Sequence, residues 1–336
     1  MCKSVLRQSY KELEIIFVDD GSKDKSLSIM NFLASEDSRV KVIRKDNGGV
    51  SSARNVGINS ATKKYITFVD SDDTIETEMY KNMIEFAEKS NLDCVVCGIN
   101  SINVLRNTKV TLCPKFKNGK IITDKDIIEY IIKPLLGFSK ESAEAMCSVI
   151  NKLFSRKVIK ENKLCFNENR NHGEDWQFCI DFFAVAASVG ILNDTYYNYI
   201  HHGTESLVTR YRDNFFETAL FDRKHFMELF PYLSWNSKAK IFELQMQPIN
   251  AAIHYRMHLK KRELMIKYRE MFEVIKQSGI YDGEILIKDG EKIRKAINSN
   301  DFSLFVSLIT NQTNGIVLKN KLKKFARKYV GKLLRR

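Results

Sequence analysis

This sequence predicts an α/β fold with a mainly parallel sheet flanked by helices, followed by a mostly α-helical region. Three observations carry that expectation. Short apolar runs alternate with helical periodicity from residue 1 to about residue 100. Two of those runs end in clustered acids, Asp19-Asp20 and Asp70-Ser71-Asp72-Asp73. From about Arg212 onward the pattern becomes overwhelmingly helical. Strands alternating with helices build βαβ units, and ligands of such sheets bind beyond the carboxyl ends of the strands. Both acidic clusters are therefore expected on one rim.

In order, the apolar run from Leu13 to Val18 predicts a strand and the stretch from about Lys25 to Ser35 a helix. A strand over Val40 to Ile43, a helix from about Val50 to Ser60 and a strand over Tyr65 to Val69 come next. A helix from about Glu76 to Lys89 and the run Asp93 to Cys97 complete the alternation. Beyond it, Ile102 to Leu105 and Val110 to Cys113 read as a β-ribbon, and Asp175 to Ala187 as a helix. Gly190 to Leu192 and Tyr196 to Ile200 are strand-like pieces, and Pro231, Pro248 and Gly279 punctuate the helical remainder. These textures divide the chain into 1–210, 211–317 and 318–336.

Composition narrows the class. With 336 residues, 44% of them hydrophobic, the chain can pack a large domain and a smaller one. No apolar stretch approaches the roughly 20 residues of a membrane-spanning helix, and the first residues carry no signal-peptide core. Seven cysteines without framework spacing fit a reducing, cytoplasmic setting. Cys94 and Cys97 have redox spacing, but they lie in an apolar strand-like run with no second Cys/His pair, which favours buried thiols over a zinc site.

The net charge of +13 is concentrated. Lys319, Lys321, Lys323, Lys324, Arg327, Lys328, Lys332, Arg335 and Arg336 fall within 318–336, without one acid. Leu318, Leu322, Phe325, Tyr329 and Leu333 recur at helical spacing, so the tail reads as a basic amphipathic helix. Such a helix can lie on an anionic membrane surface, which would make the protein peripheral at the inner face of the cell membrane. A solvated helix docked on the protein by its apolar stripe fits the same residues. Nucleic acid is not an expected partner, because no nucleic-acid module accompanies the charge.

Three carboxylates at the end of one strand repel unless a cation neutralises them, so Asp70, Asp72 and Asp73 are candidates for holding a hard divalent ion against phosphate oxygens. A polar turn capping the next helix is the alternative. The stretch Asp46 to Gly57 leads into a helix whose free N–H groups can meet phosphate, yet its glycines match neither the P-loop nor the dinucleotide fingerprint. His201-His202 could offer a ligand or acceptor contact, or simply face solvent. No Ser/His/Asp or Cys/His constellation suggests nucleophilic catalysis.

Leu13-Glu-Ile-Ile-Phe-Val-Asp-Asp-Gly-Ser22, Asn47-Gly-Gly-Val-Ser-Ser-Ala-Arg-Asn-Val-Gly57 and Phe68-Val-Asp-Ser-Asp-Asp73 occur in that order. Together they resemble the donor-binding half of the family-two glycosyltransferases, which have the GT-A fold, a Rossmann-like α/β architecture. Asn171-His-Gly-Glu-Asp-Trp-Gln-Phe178 resembles the family's Glu-Asp motif, and Asn151 to Arg156 and Leu164 to Phe166 its middle section. The match covers roughly residues 1 to 205. The resemblance implies that Asp20 accepts a hydrogen bond from the nucleotide base, usually uracil, and that Arg54 helps hold the nucleotide. It further implies that Asp70 and Asp72 form the family's Asp-x-Asp, with Asp72 on Mg²⁺ or Mn²⁺ and Asp70 on the ribose or sugar. Asp175 would be the general base, and Glu174 would position the acceptor or Asp175.

Taken together, the resemblance implies an inverting, metal-dependent, hexosyltransferase-type enzyme. It would use a nucleoside-diphosphate sugar, with UDP as the expected nucleotide and a glycan or lipid-linked acceptor, in surface polysaccharide biosynthesis. Family members begin with an apolar strand ahead of the first helix, whereas this sequence starts within that helix, at Lys3 to Tyr10. An N-terminally truncated domain lacking the first strand is therefore expected. The alternative function is a truncated remnant without turnover, or a nucleotide-binding scaffold.

Overall fold

The computed structural model describes the chain except for residues 136–143, 171–172, 203–210, 231–236 and 334–336; for 144, 223, 237–243 and 318–333 it describes backbone alone. The chain divides into two compact units, Met1–Thr209 and Arg210–Arg336.

The first unit opens with a short helix α1 (Cys2–Leu6), then β1 (Ile15–Asp20), α2 (Ser26–Glu36), β2 (Val40–Lys45) and α3 (Gly49–Ser60). β1 and β2 pair in parallel, Ile15 opposite Val40 through Asp20 opposite Lys45, as a sheet of their own. Alternation sets the faces: Ile15, Phe17 and Asp19 are buried, while Ile16, Val18 and Asp20 are half-buried. That is the period of 2 expected of a strand. Gly57 of α3 lies over Val18, where an added Cβ would come within 4.0 Å of its side chain.

A second, seven-stranded sheet comprises β3 (Tyr65–Ile66), β4 (Thr74–Ile75), β5 (Cys94–Asn103), β6 (Thr108–Leu112), β7 (Ile121–Thr123), β8 (Lys152–Ser155) and β9 (Ser188–His201). Its main path runs β3-β8-β5-β9-β4, with β6 added to β5 and β7 to β9. The sheet is mixed rather than mainly parallel. Among the described residues only β5 with β9 runs parallel within it, since β6 returns from β5 by a short hairpin and β8 lies antiparallel to β5. The expected ribbon beyond residue 102 is that hairpin, and the two strand pieces after residue 190 are one continuous β9.

Helices α4 (Met79–Ser90), α5 (Lys125–Ile127), α6 (Lys133–Leu135), α7 (Arg156–Glu161) and α8 (Glu174–Val185) complete this unit; a π-helical turn at Ile128–Ile132 joins α5 to α6. The core over the sheet is aromatic: Phe166 and Phe178 stack with centroids 4.2 Å apart, and Phe154 meets Phe182 edge-on at 4.8 Å. Cys94 and Cys97 are fully buried on β5, and burial pushes the Cys97 thiol up to about 12. A thiol held protonated in this way is inert.

The second unit is helical: α9 (Phe215–Leu229), α10 (Ser237–His258), α11 (Lys261–Ser278), α12 (Gly290–Asn298) and α13 (Phe302–Leu333). Phe216, Tyr255, Tyr268, Phe272, Ile293 and Phe305 are among its buried core residues. Gly279 ends α11 in the left-handed conformation (φ 65°), the conformation glycine accepts at no steric cost. Pro248, expected as punctuation, lies inside α10. The backbone of α13 is helical through Leu333, so 318–333 continues a longer helix; its side chains, and residues 334–336, lie outside those described. Pro231 also lies outside them.

Candidate functional site

The loop into α3 is built around Asp20. The helix begins at Gly49 behind a glycine N-cap, so no side chain of its own covers its first N–H groups. Asp20 does so from the end of β1. Its Oδ1 accepts from Gly48 N–H at 2.9 Å and Lys45 Nζ at 2.6 Å, and its Oδ2 from Gly49 N–H at 2.7 Å and Asn47 Nδ2 at 3.3 Å. Gly49 has φ 86°, a conformation a side chain would resist. Burial acts to raise the Asp20 pKa, but the bonds from Lys45, Gly48 and Gly49 outweigh it and hold the group below its ordinary value. Asp19 presents a contrast that sequence reasoning passed over. Its Oδ1 accepts from Ser22 N–H at 3.1 Å, while its buried Oδ2 has no hydrogen-bond donor and meets Arg44 Nε only at 3.7 Å.

The acidic turn splits by function. Asp73 is fully buried: Oδ1 accepts from Ile200 N–H at 2.8 Å and Oδ2 from Tyr197 Oη at 2.7 Å. Its pKa is pushed up to about 6 by burial, with Asp70 and Asp72 adding to the rise and the Ile200 and Tyr197 bonds opposing it. Tyr197 Oη in turn accepts from Asp70 N–H at 3.1 Å. This buried tyrosine thus fastens the whole turn to β9. The turn does not cap the next helix: α4 starts behind Glu78 with no side-chain cap. On the same turn Asp70 is half-buried and Asp72 exposed.

Arg54, on α3, draws the site together. Its Nη2 donates to Asp70 Oδ1 at 2.9 Å; its Nη1 donates to Glu174 Oε1 at 3.4 Å and, more closely, to Asp175 Oδ1. The Phe166 ring lies 5.2 Å from the guanidinium carbon, within cation–π range. Burial works against the guanidinium charge, yet Asp175, Asp70 and Glu174 outweigh it and raise the Arg54 pKa. Glu174 and Asp175 form the first turn of α8, behind Gly173 at φ 71°. The helix N-terminus favours both negative charges. Asp175 Oδ2 accepts from Ser148 Oγ and Val149 N–H, each at 3.4 Å. Burial raises the Asp175 pKa, Arg54 opposes this, and Glu174 and Asp70 add to the rise.

The structure therefore joins four of the six expected site residues, Arg54, Asp70, Glu174 and Asp175, through direct contacts. Asp72 stands on the same turn as Asp70, and Asp20 stands at the start of Arg54's helix. His201 Nε2 lies 2.9 Å from Ser101 Oγ, with its ring edge-on to Tyr199 at 4.6 Å, and His202 is exposed.

The donor set suits a hard cation. Among the described residues no three His, Cys, Asp or Glu side chains form a cage. A Mg²⁺-type ion bound through one or two carboxylates plus substrate phosphates does not need one. One guanidinium faces three carboxylates here, and Asp72 adds a fourth at the surface, so the site carries excess negative charge.

With that geometry in place, the comparisons are specific. The model of the family "Glycosyl transferase family 2" matches residues 1–162. Those residues, a little under half of the chain, are similar to glycosyl transferase family 2. The chain is 34% identical over 198 residues to "Uncharacterized glycosyltransferase EpsJ" of Bacillus subtilis, a match covering 58% of this chain and 55% of that protein. It is 29% identical over 202 residues to the "Cholesterol galactosyltransferase" of Borreliella burgdorferi, covering 59% of this chain and 54% of that protein. It thus spans little more than half of these relatives. The S. aureus TarS 1-349 structure in complex with UDP-GlcNAc superposes with a TM-score of 0.67 at 18% identity, covering 94% of this chain and 87% of that one. At that identity the likeness is one of fold, and the expected GT-A class is the class observed.

Proposed function

We propose that the protein is an inverting glycosyltransferase that moves a sugar from a UDP-sugar to a glycan or lipid-linked acceptor. The observation that carries this reading is Arg54 binding Asp70, Glu174 and Asp175 at once. It sets a half-buried carboxylate with a raised pKa beside the acidic turn that would face the donor. A base for an acceptor hydroxyl needs a pKa near working pH and a place next to the reacting carbon. The UDP-GlcNAc complex of TarS, which shares the fold, supports a UDP-sugar as donor.

In this reading Asp72 and Asp70 hold Mg²⁺ or Mn²⁺, which when bound stabilises negative charge on the leaving diphosphate. Asp20 and Arg54 shape the nucleotide side: Asp20 pins the start of α3, and Arg54 anchors Asp70. Glu174 positions the acceptor. Asp175 takes the hydroxyl proton as the acceptor oxygen bonds to the anomeric carbon, and the bond from that carbon to the diphosphate oxygen breaks with its electron pair leaving on UDP. One base and one displacement give inversion, the single-step logic of inverting glycosidases. Titration with UDP in the presence and absence of Mn²⁺ tests the donor side. Binding should tighten at least about tenfold with Mn²⁺, and Asp72→Ala should remove that gain. Metal-independent binding equal in both proteins would refute the metal assignment, and binding without any sugar transfer would favour a scaffold.

No described helix is long and apolar enough to cross a membrane. The nine basic residues between 318 and 336 support a peripheral site on an anionic surface instead, at the cytoplasmic face where lipid-linked acceptors of a surface polysaccharide would be presented. Deleting 318–336 is expected to abolish co-sedimentation with vesicles containing phosphatidylserine; retained co-sedimentation would rule that placement out.

A further inference from the structure

Arg54 holds one oxygen of Asp175, and the other is held from a different direction. Ser148 Oγ and Val149 N–H both reach Oδ2 at 3.4 Å. These donors lie between a 3₁₀ turn at Glu144–Met146 and β8, in a stretch with no strand or helix of its own. Lys152, the first residue of β8, folds back into that stretch. Its Nζ donates to Ala145 O at 3.2 Å, to Asn151 Oδ1 at 3.0 Å, and to Ser148 O. Asn151 Nδ2 ties the same stretch to the sheet, donating to Ala145 O at 2.9 Å and to Cys97 O of β5 at 2.5 Å.

Lys152 is fully buried. Three acceptors meet the three donors of its amine, so nothing of its hydrogen-bonding capacity remains for a ligand. Burying such a group is expensive, and an apolar chain of equal length would fill the volume at less cost. What the apolar chain would not do is fix the carbonyls of Ala145 and Ser148. Ser148 is the point of contact: its carbonyl is held by Lys152, while its hydroxyl and the next N–H hold Asp175.

We propose that Lys152 is a positioning residue of the transfer reaction, acting through Ser148 and Val149 to fix Asp175. This rests on Asp175 being the base. Without the clamp, the two donors to Oδ2 drift, the ionised carboxylate loses their stabilisation, and its orientation towards the acceptor is no longer held.

The Asp175 carboxyl can be followed by NMR in protein carrying ¹³C-labelled aspartate, the signal being assigned by its loss in Asp175→Asn. In Lys152→Met its titration midpoint should rise by about one pH unit. Ser148→Ala should move it the same way by less, and the double variant should add little to Lys152→Met. An unchanged midpoint in folded Lys152→Met, or strict additivity with Ser148→Ala, would overturn the proposal. Should Lys152→Met not fold, Lys152→Gln, which keeps one donor to the loop carbonyls, gives the same measurement with a smaller rise expected. In parallel, kcat for UDP release from UDP-GlcNAc with Mn²⁺ should fall about tenfold in Lys152→Met at unchanged donor KM. A loss in Asp175→Asn with none in Lys152→Met sinks this inference alone. An unaltered kcat in Asp175→Asn sinks the reading beneath it.

Discussion

Asp175→Asn is expected to lower sugar transfer by about 10²–10⁴-fold, the usual contribution of a positioned general base, while UDP affinity stays within about threefold. Asparagine keeps an oxygen for Arg54 and the shape of the side chain but cannot take a proton. The proposed donor side, Asp20, Asp70 and Asp72, is left in place. The pH profile supplies an independent check. Burial raises the Asp175 pKa, and Glu174 and Asp70 add to the rise against the pull of Arg54. Only the ionised carboxylate can act as a base, so wild-type turnover should fall as pH drops through that raised value. In Asp175→Asn this acid limb should vanish from the residual rate.

Stability should move the other way. A carboxyl whose pKa is raised by folding binds its proton more tightly in the native state than in the unfolded chain. It therefore favours folding most at low pH, below its unfolded pKa, and this contribution is lost as pH rises through the folded value. At neutral pH the ionised group works against the fold, and replacing it by asparagine should leave the melting temperature unchanged or higher. A variant that is inactive and markedly less stable at pH 7 would mean that Asp175 serves structure rather than chemistry.

Much of the site was legible because it is written at strand ends and helix starts. The acidic turn at Asp70 to Asp73 announces itself locally, at the end of an apolar run. Arg54, Glu174 and Asp175 were instead named through the resemblance to the family-two glycosyltransferases, whose motifs sit at the loop before α3 and the start of α8. What joins them cannot. Arg54 meets Glu174 and Asp175 across 120 and 121 positions of chain, a distance at which no periodicity speaks. Asp20 read as a ligand contact, yet backbone N–H groups that carry no sequence signature take up its oxygens. Ser148, Val149 and Tyr197 were missed for the same reason: two are donors on an irregular stretch, and the third sits in a run of tyrosines where alternation gives a face but not a partner. The mixed sheet was hidden because a strand's direction depends on its connections, and β8 enters beside β5 antiparallel, against what the alternating pattern suggested.

Replacing Arg54 should produce a large structural effect. Its side chain is only 10% exposed and supplies the cation for Asp70, Glu174 and Asp175 together. Removing the cation of this partly buried network leaves three carboxylates facing one another without a cationic partner, at a cost of about 2–3 kcal/mol. That is below the cost for a fully buried pair, because the carboxylates are 14–34% exposed. Arg54→Ala is therefore expected to melt well below wild type at pH 7.5. Converging carboxylates without their cation take up protons more readily, and the raised Asp175 pKa, which Arg54 holds down in wild type, rises further in the folded variant. By linkage the variant regains stability as pH falls, and its gap to wild type should narrow between pH 7.5 and 5. Arg54→Lys keeps the charge but lacks the planar fork that reaches separate carboxylates from separate nitrogens; it should fall between the two. Thermal melts at the two pH values decide the matter. A gap that stays constant with pH would show that Arg54 contributes by packing on Phe166, and one that widens in acid would contradict the network of charges altogether.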